Sequence, residues 1–218
     1  MNSPLSPVLA PAAIDEAVSA ERCRLADHVA GLTDEQWTTT SLCSAWTVRD
    51  VIAHLTVTTR MTVPRVLRAA VRARGSFDRM EIGLAAERAA AYTTAELVAQ
   101  LRESAGSTRR FPGSTPMDPL MDLVVHGQDI ARPLGRRHVS PPEVVAACLA
   151  YVAANRFLGG PQRLSGVRLV STDTGWTWGD GVEMRGPDVD LLLVAAGRRA
   201  GLDALRGPGA AVVAARLG

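Results

Sequence analysis

The chain is 218 residues long, with 47% hydrophobic, 21% charged and 4% aromatic residues and a formal charge of +2. That hydrophobic content excludes a disordered chain, and the near-balance of charge excludes a protein that engages nucleic acid through its overall field. All 24 basic residues are arginine, which excludes lysine Schiff-base chemistry and a phosphate-loop lysine.

The length predicts one or two domains, and the scarcity of aromatics predicts close-packed helices built on Ala, Val and Leu. Cys23, Cys43 and Cys148 are scattered and form no CxxC pair, so neither a zinc ribbon nor a disulfide framework is expected. The N-terminal run has no basic start and no long apolar core, and no apolar stretch approaches a membrane span. A soluble, cytoplasmic protein with no membrane and no nucleic-acid partner is the expectation.

In chain order, Ile14, Val18, Leu25 and Val29 give an amphipathic helix over 12–31. Thr33 with Gln36 has capping-box spacing and opens a short turn around Trp37. Thr47 precedes Val48, Val51, Ile52 and Leu55, with Asp50 placed to reach back to the cap. A second long helix therefore starts near 48, and Pro64 is expected to end or kink it. A helix over 77–91 follows, then a Thr93/Glu96 box opening a helix to about 105, and a proline-rich loop over 106–119. PLMDLVVHGQDIARPLG predicts a fourth major helix, and Ser140-Pro-Pro-Glu143 opens another over 141–157.

The texture changes at Gly159-Gly160-Pro161. GVRLVST predicts a strand, 174–186 a hairpin, the run after Pro187 a helix, and AAVVAARL a last strand. The expected organisation is a helical bundle over 1–158 followed by a small α+β domain over 159–218, an α+β fold overall.

Four histidines are available. His126 lies one turn after Asp122, so an imidazole and a carboxylate share one helix face and can hold one edge of a divalent ion. His54, within the apolar run Val51–Leu55, is the best-placed third ligand. Two imidazoles and one carboxylate leave coordination positions open, as catalytic sites do. The spacing alone also fits a surface pair or a satisfied core histidine. His28 and His138 read as surface residues, Cys43 as a small residue near the core, and Trp37 and Trp46 as anchors. Arg60, Arg65, Arg68, Arg72 and Arg74 form a basic stretch without interleaved aromatics, which reads as a solvated helix face. No GxGxxG, Walker, HExxH or GxSxG motif is present.

Three segments carry a family resemblance. LTDEQWTTTSLCSAWTVRDVIAHL resembles the N-terminal signature of the mycothiol-dependent maleylpyruvate isomerase family, one of the DinB-like metal-binding bundles. MDLVVHGQDIARPLG resembles its second signature, and STDTGWTWGDGVEMRGPDVDLLLVAAGR its C-terminal, sterol-carrier-protein-like domain. The resemblance implies a DinB-like four-helix bundle and a divalent metal, zinc, held by His54, Asp122 and His126. Asp122 stands where the isomerase has glutamate, one methylene longer. It further implies a mycothiol-dependent enzyme acting on a small electrophile. A metal-activated thiolate adds reversibly to a conjugated double bond in an isomerase, or is transferred as a thiol group by an S-transferase. Arg185 and Arg198 are weak catalytic candidates as partners for a carboxylate of thiol or substrate, and Asp129 reads as solvated. A non-catalytic metal- or ligand-binding module, and a metal-free regulatory protein binding an acidic partner through the 60–74 arginines, stay open at this point.

Overall fold

The protein is represented by a computed structural model that describes residues 8–111 and 113–218. The leader-free N-terminus expected from the first seven residues, and Pro112 of the loop, lie outside the described residues. The chain divides into two compact units, one of them Pro11–His138 and the other built on 139–218.

The first unit is helical: α1 (Pro11–Val29), α2 (Asp34–Thr38), α3 (Val48–Val57), α4 (Val63–Arg72), α5 (Phe77–Ala91), α6 (Thr94–Glu103) and α7 (Met117–Ala131). Helices α1, α7, α3 and α6 close a ring, each touching the next, with α5 packed on the outside of α3 and α4 on α5. Leu25, Ile52, Leu97, Leu101 and Leu120 are among the fully buried side chains of the ring. The local chemistry matches the elements. Thr33, Thr47 and Thr93 each close a capping box with the residue three positions on. At the other end of α6, buried Arg22 of α1 donates from Nη1 to the carbonyls of Ser104 (2.6 Å) and Ser107 (2.7 Å). These oxygens lie past the last helical turn, where the helix's own N–H groups no longer reach.

Helix α3 is buried from Val51 through Val57, and α7 from Leu123 through Ala131. A helix covered on nearly all sides has no polar face to spend, so any ionisable residue it carries must find its partners inside.

The second unit contains α8 (Pro142–Ala154), α9 (Gly160–Arg163), β1 (Val167–Ser171), β2 (Thr177–Trp178), β3 (Val182–Gly186), α10 (Asp188–Ala195) and α11 (Pro208–Arg216). Its three-stranded sheet has the order β2-β1-β3, with β2 antiparallel and β3 parallel to β1. Helix α8 groups with this unit by packing on α10, so the compact units part at 138/139, ahead of the sequence change at 159. The glycines there end α8 and let the chain turn back against it: a Cβ on Gly160 would sit 1.9 Å from the Val152 carbonyl oxygen.

Several sequence expectations are corrected. Pro64 neither ends nor kinks α3, which stops at Val57 before a 3-10 turn over Thr58–Arg60. It occupies the first turn of a separate helix, α4, where its missing N–H costs nothing. The 174–186 segment is no hairpin. β2 and β3 flank β1 on opposite sides, and the hairpin is β1–β2 through the Thr174-Gly175 turn. AAVVAARL is helical, started by Pro208 at its first turn. Ala-rich sequence favours helix, and its burial on one side satisfies the apolar residues equally well. His138 is buried and His28 half-buried. Their rings meet edge to face at 5.3 Å, and His138 lies 3.4 Å from buried Glu21.

The cap of α3 should carry measurable stability. Thr47→Ala is expected to cost about 1 kcal/mol, read as a lowered urea midpoint with an unchanged m-value.

Candidate metal centre

The site is set by two buried helices and a loop. The Thr47 cap starts α3 so that His54 falls on the side facing α7 and α5. On α7, Asp122 and His126 stand one turn apart. His54 Nε2 lies 3.1 Å from Asp122 Oδ2, and His126 Nε2 lies 3.2 Å from Asp122 Oδ1. Each oxygen of one carboxylate therefore faces the Nε2 of a different imidazole. The three residues offer ligand atoms all within 4.8 Å of one another. The two rings stand edge to face, 5.2 Å apart.

Each imidazole is backed by a second carboxylate. Glu81 Oε2, on α5, lies 2.9 Å from His54 Nδ1, an ion-pair contact. Asp129 Oδ2, one turn past His126, lies 2.8 Å from His126 Nδ1 and is fully buried. The Asp129 carboxylate at His126 Nδ1 holds the proton there, so the lone pair of that ring, when neutral, points from Nε2 toward Asp122, where a cation would sit. Asp129, expected to be solvated, is thus a positioning group, because its helix is buried on that side as well.

The loop before α3 closes the site from above. The Trp46 ring lies 4.7 Å from the His54 ring and 5.7 Å from that of His126, so it covers both imidazoles. The loop is fastened to α7 at Asp129: Leu42 N–H donates to its carbonyl (3.1 Å), and Cys43 Sγ–H donates to Oδ2 (3.3 Å). Cys43, His126 and Asp129 form a second group of possible ligands around the same imidazole. The Asp122 side chain retains 30% exposure against 10% or less for both histidines, so the cluster opens to solvent on the Asp122 side.

The electrostatics follow from burial and mutual contact. Burial disfavours charge on His54, but Asp122 and Glu81 outweigh it and raise its pKa to about 9. His126 is raised well above its ordinary value for the same reason, with Asp122 and then Asp129 as its partners. Burial would raise Asp122, yet the two imidazoles hold it far below the usual carboxylate range. Without metal, contact with Asp122 therefore favours the protonated form of both rings, and the rings favour the ionised form of Asp122.

The structure brings His54, Asp122 and His126 together. It also adds two residues that no local signal paired with them: Glu81, distant in the chain, and Trp46, whose placement over the rings depends on the loop path. His126-x-x-Asp129 was a readable helical signal. Arg185 and Arg198 belong to the other unit. There Arg185 pairs with Glu183 at 2.9 Å, and Arg198 donates to the Ala196 carbonyl at 2.8 Å. Among the described residues no helix is long and apolar enough to cross a membrane.

Comparison with known proteins finds relatives of the fold. Residues 18–119 match the family described as the mycothiol maleylpyruvate isomerase N-terminal domain. Two solved structures of similar fold are the mycothiol-dependent maleylpyruvate isomerase and a histidine-to-alanine mutant of it. They superpose with TM-scores of 0.61 and 0.63, at 16% and 14% identity, over 95% of this chain and 96% of theirs. No curated protein matches the sequence.

Two measurements test the electrostatics. His54 contributes stability to the metal-free protein that is complete below about pH 6.5 and is lost as pH rises through about 9. Asp122 contributes stability that is present above about pH 4 and is lost as pH falls. Metal-free protein should therefore be most stable between those limits in pH-dependent denaturation, with a loss on the alkaline side that His54→Gln removes. Asp129→Asn should weaken metal affinity about 10- to 100-fold, measured by competition with a chromophoric chelator.

Proposed function

Because residues 18–119 match the mycothiol maleylpyruvate isomerase N-terminal family, we propose that this chain is a divalent-metal enzyme. It uses a low-molecular-weight thiol, mycothiol, to isomerise a small electrophile or to transfer the thiol group to it. The observation that carries this reading is the meeting of two Nε2 atoms and both oxygens of Asp122 in one buried cluster, with a carboxylate behind each ring.

The donor set fits a divalent cation. His54, Asp122 and His126 would hold it as two nitrogens and a carboxylate oxygen, a combination suited to zinc with positions left for a reactant. When bound, the cation supplies a positive charge that lowers the pKa of a thiol beside it and so provides a nucleophile at neutral pH. The chain's own residues prepare the place. Asp129 keeps the Nδ1 proton of His126, and Glu81 lies in ion-pair contact with His54 Nδ1. Trp46 lies over both imidazoles and keeps water from their faces. Asp122, the most exposed member, marks the side from which thiol and electrophile enter.

Asp122 in place of glutamate shortens one ligand by a methylene. The contact of its two oxygens with two Nε2 atoms, at 3.1 and 3.2 Å, supports Asp122 as a shared ligand despite the shorter side chain. Cys23, Cys43 and Cys148 form no disulfide among the described residues, which suits a reducing setting such as the cytoplasm. Arg185 and Arg198 take no part in this reading.

Elemental analysis of protein purified without chelator or histidine tag tests it. The expected result is about one divalent metal per chain, lost in His126→Ala and kept in His28→Ala. Thiol-dependent consumption of an electrophile such as maleylpyruvate should disappear with the metal. Equal metal content in both variants would overturn the assignment.

A further inference from the structure

The basic stretch after α3 does not spread its charges evenly into solvent. Arg65, Arg68 and Arg72 of α4 line a cleft of about 340 Å³ against α5, above Ala69 and Leu84. Next to it, and sharing Arg65 and Leu84, a smaller depression adds Arg60 and Arg88.

The charges around this cleft do not cancel. Arg72 pairs with Glu87 at 2.8 Å and Arg60 with Glu103 at 3.0 Å. Arg88 is buried, donating to Thr56 Oγ1 at 2.8 Å and to Gln100 Oε1, with its guanidinium 4.8 Å from the Tyr92 ring centre. Burial, together with the nearby charges of Arg60 and Arg65, holds the Arg88 pKa below its usual value. Arg65 and Arg68 are exposed and make no hydrogen bond or ion pair among the described residues. Five guanidiniums thus face two carboxylates, and the two unpaired ones stand at the mouth of the larger cleft.

We propose that this cleft is a binding site for a small organic anion bearing at least two oxyanion groups, carboxylate or phosphate. Its apolar body rests on Ala69 and Leu84, and its oxyanions are forked by Arg65 and Arg68.

Three physical arguments support this ligand class. Planar guanidinium forks match carboxylate and phosphate oxygens two at a time. A concavity in which three arginines outnumber one glutamate, with an apolar floor, raises the local anion concentration. The volume is that of a small-molecule pocket. An extended polyanion fits less well: no aromatic side chain lines the cleft for base stacking, and Glu87 and Glu103 place negative charge at its borders. The site shares no residue with His54, Asp122, His126 or the groups behind them, so it stands or falls separately from the metal centre.

Isothermal titration of the full chain with isophthalate, pyrophosphate and benzoate tests the proposal. Isophthalate or pyrophosphate should saturate a single site, and whichever binds tighter identifies the oxyanion. The monoanion benzoate should not saturate. The Arg65→Gln/Arg68→Gln double variant should bind at least about tenfold more weakly. Arg74→Gln, an exposed arginine outside the cleft, and His126→Ala should bind as the wild type does. No saturation by either dianionic probe, or equal binding by the double variant, would overturn the proposal. Loss of binding in His126→Ala would reassign the anion to the metal centre. Tighter binding to anionic vesicles or duplex DNA, lost in the same double variant, would replace the small anion by a polyanionic surface.

Discussion

Asp122 sits between two imidazoles, and most of what surrounds it answers to that arrangement. His54 and His126 favour the ionised form of Asp122, and Asp122 favours their protonated forms. Ionisable groups can stand at the heart of an otherwise apolar bundle because their desolvation is offset by one another.

The scaffold serves this arrangement by covering α3 and α7 on nearly all sides. His54 on α3 and His126 and Asp129 on α7 are turned inward, because neither helix has a solvent-facing surface at those residues. The ring of α1, α7, α3 and α6 sets the separation of His54 from Asp122 and His126. Helix α5, outside the ring, delivers Glu81 to the far side of His54. The 41–46 loop ties itself to the backbone and carboxylate of Asp129, and so carries Trp46 over both rings. Asp129 has two jobs through one oxygen, orienting His126 and anchoring the Cys43 thiol.

Helix α4 is the counterpart of these buried helices. None of its residues is buried, and Val63, Leu67 and Val71 are largely exposed. It contributes little to the core and mainly furnishes guanidiniums to the groove it makes with α5. Leu84 belongs at once to the small core of Val57, Ala73 and Met80 and to the floor of that groove. The packing that seats α4 on α5 therefore also shapes the cationic cleft.

The sequence by itself determined the local events. Capping boxes at Thr33, Thr47 and Thr93, proline and glycine punctuation, and the one-turn spacing of Asp122 and His126 act within a few residues, where chain connectivity fixes geometry. It also carried the family signatures on which the choice of His54 rested. Expectations failed where the deciding contacts were distant in the chain. Whether 174–186 folds on itself depended on β1 accepting strands on both edges, and whether AAVVAARL becomes strand or helix depended on the sheet and helices available to cover it. Glu81 behind His54, the burial of Asp129 and His138, and the convergence of Arg65 and Arg68 with Arg88 came from tertiary structure alone. Periodicity shows which residues share a face, but only packing decides what that face meets, and the charge state of a buried group is set by what it meets.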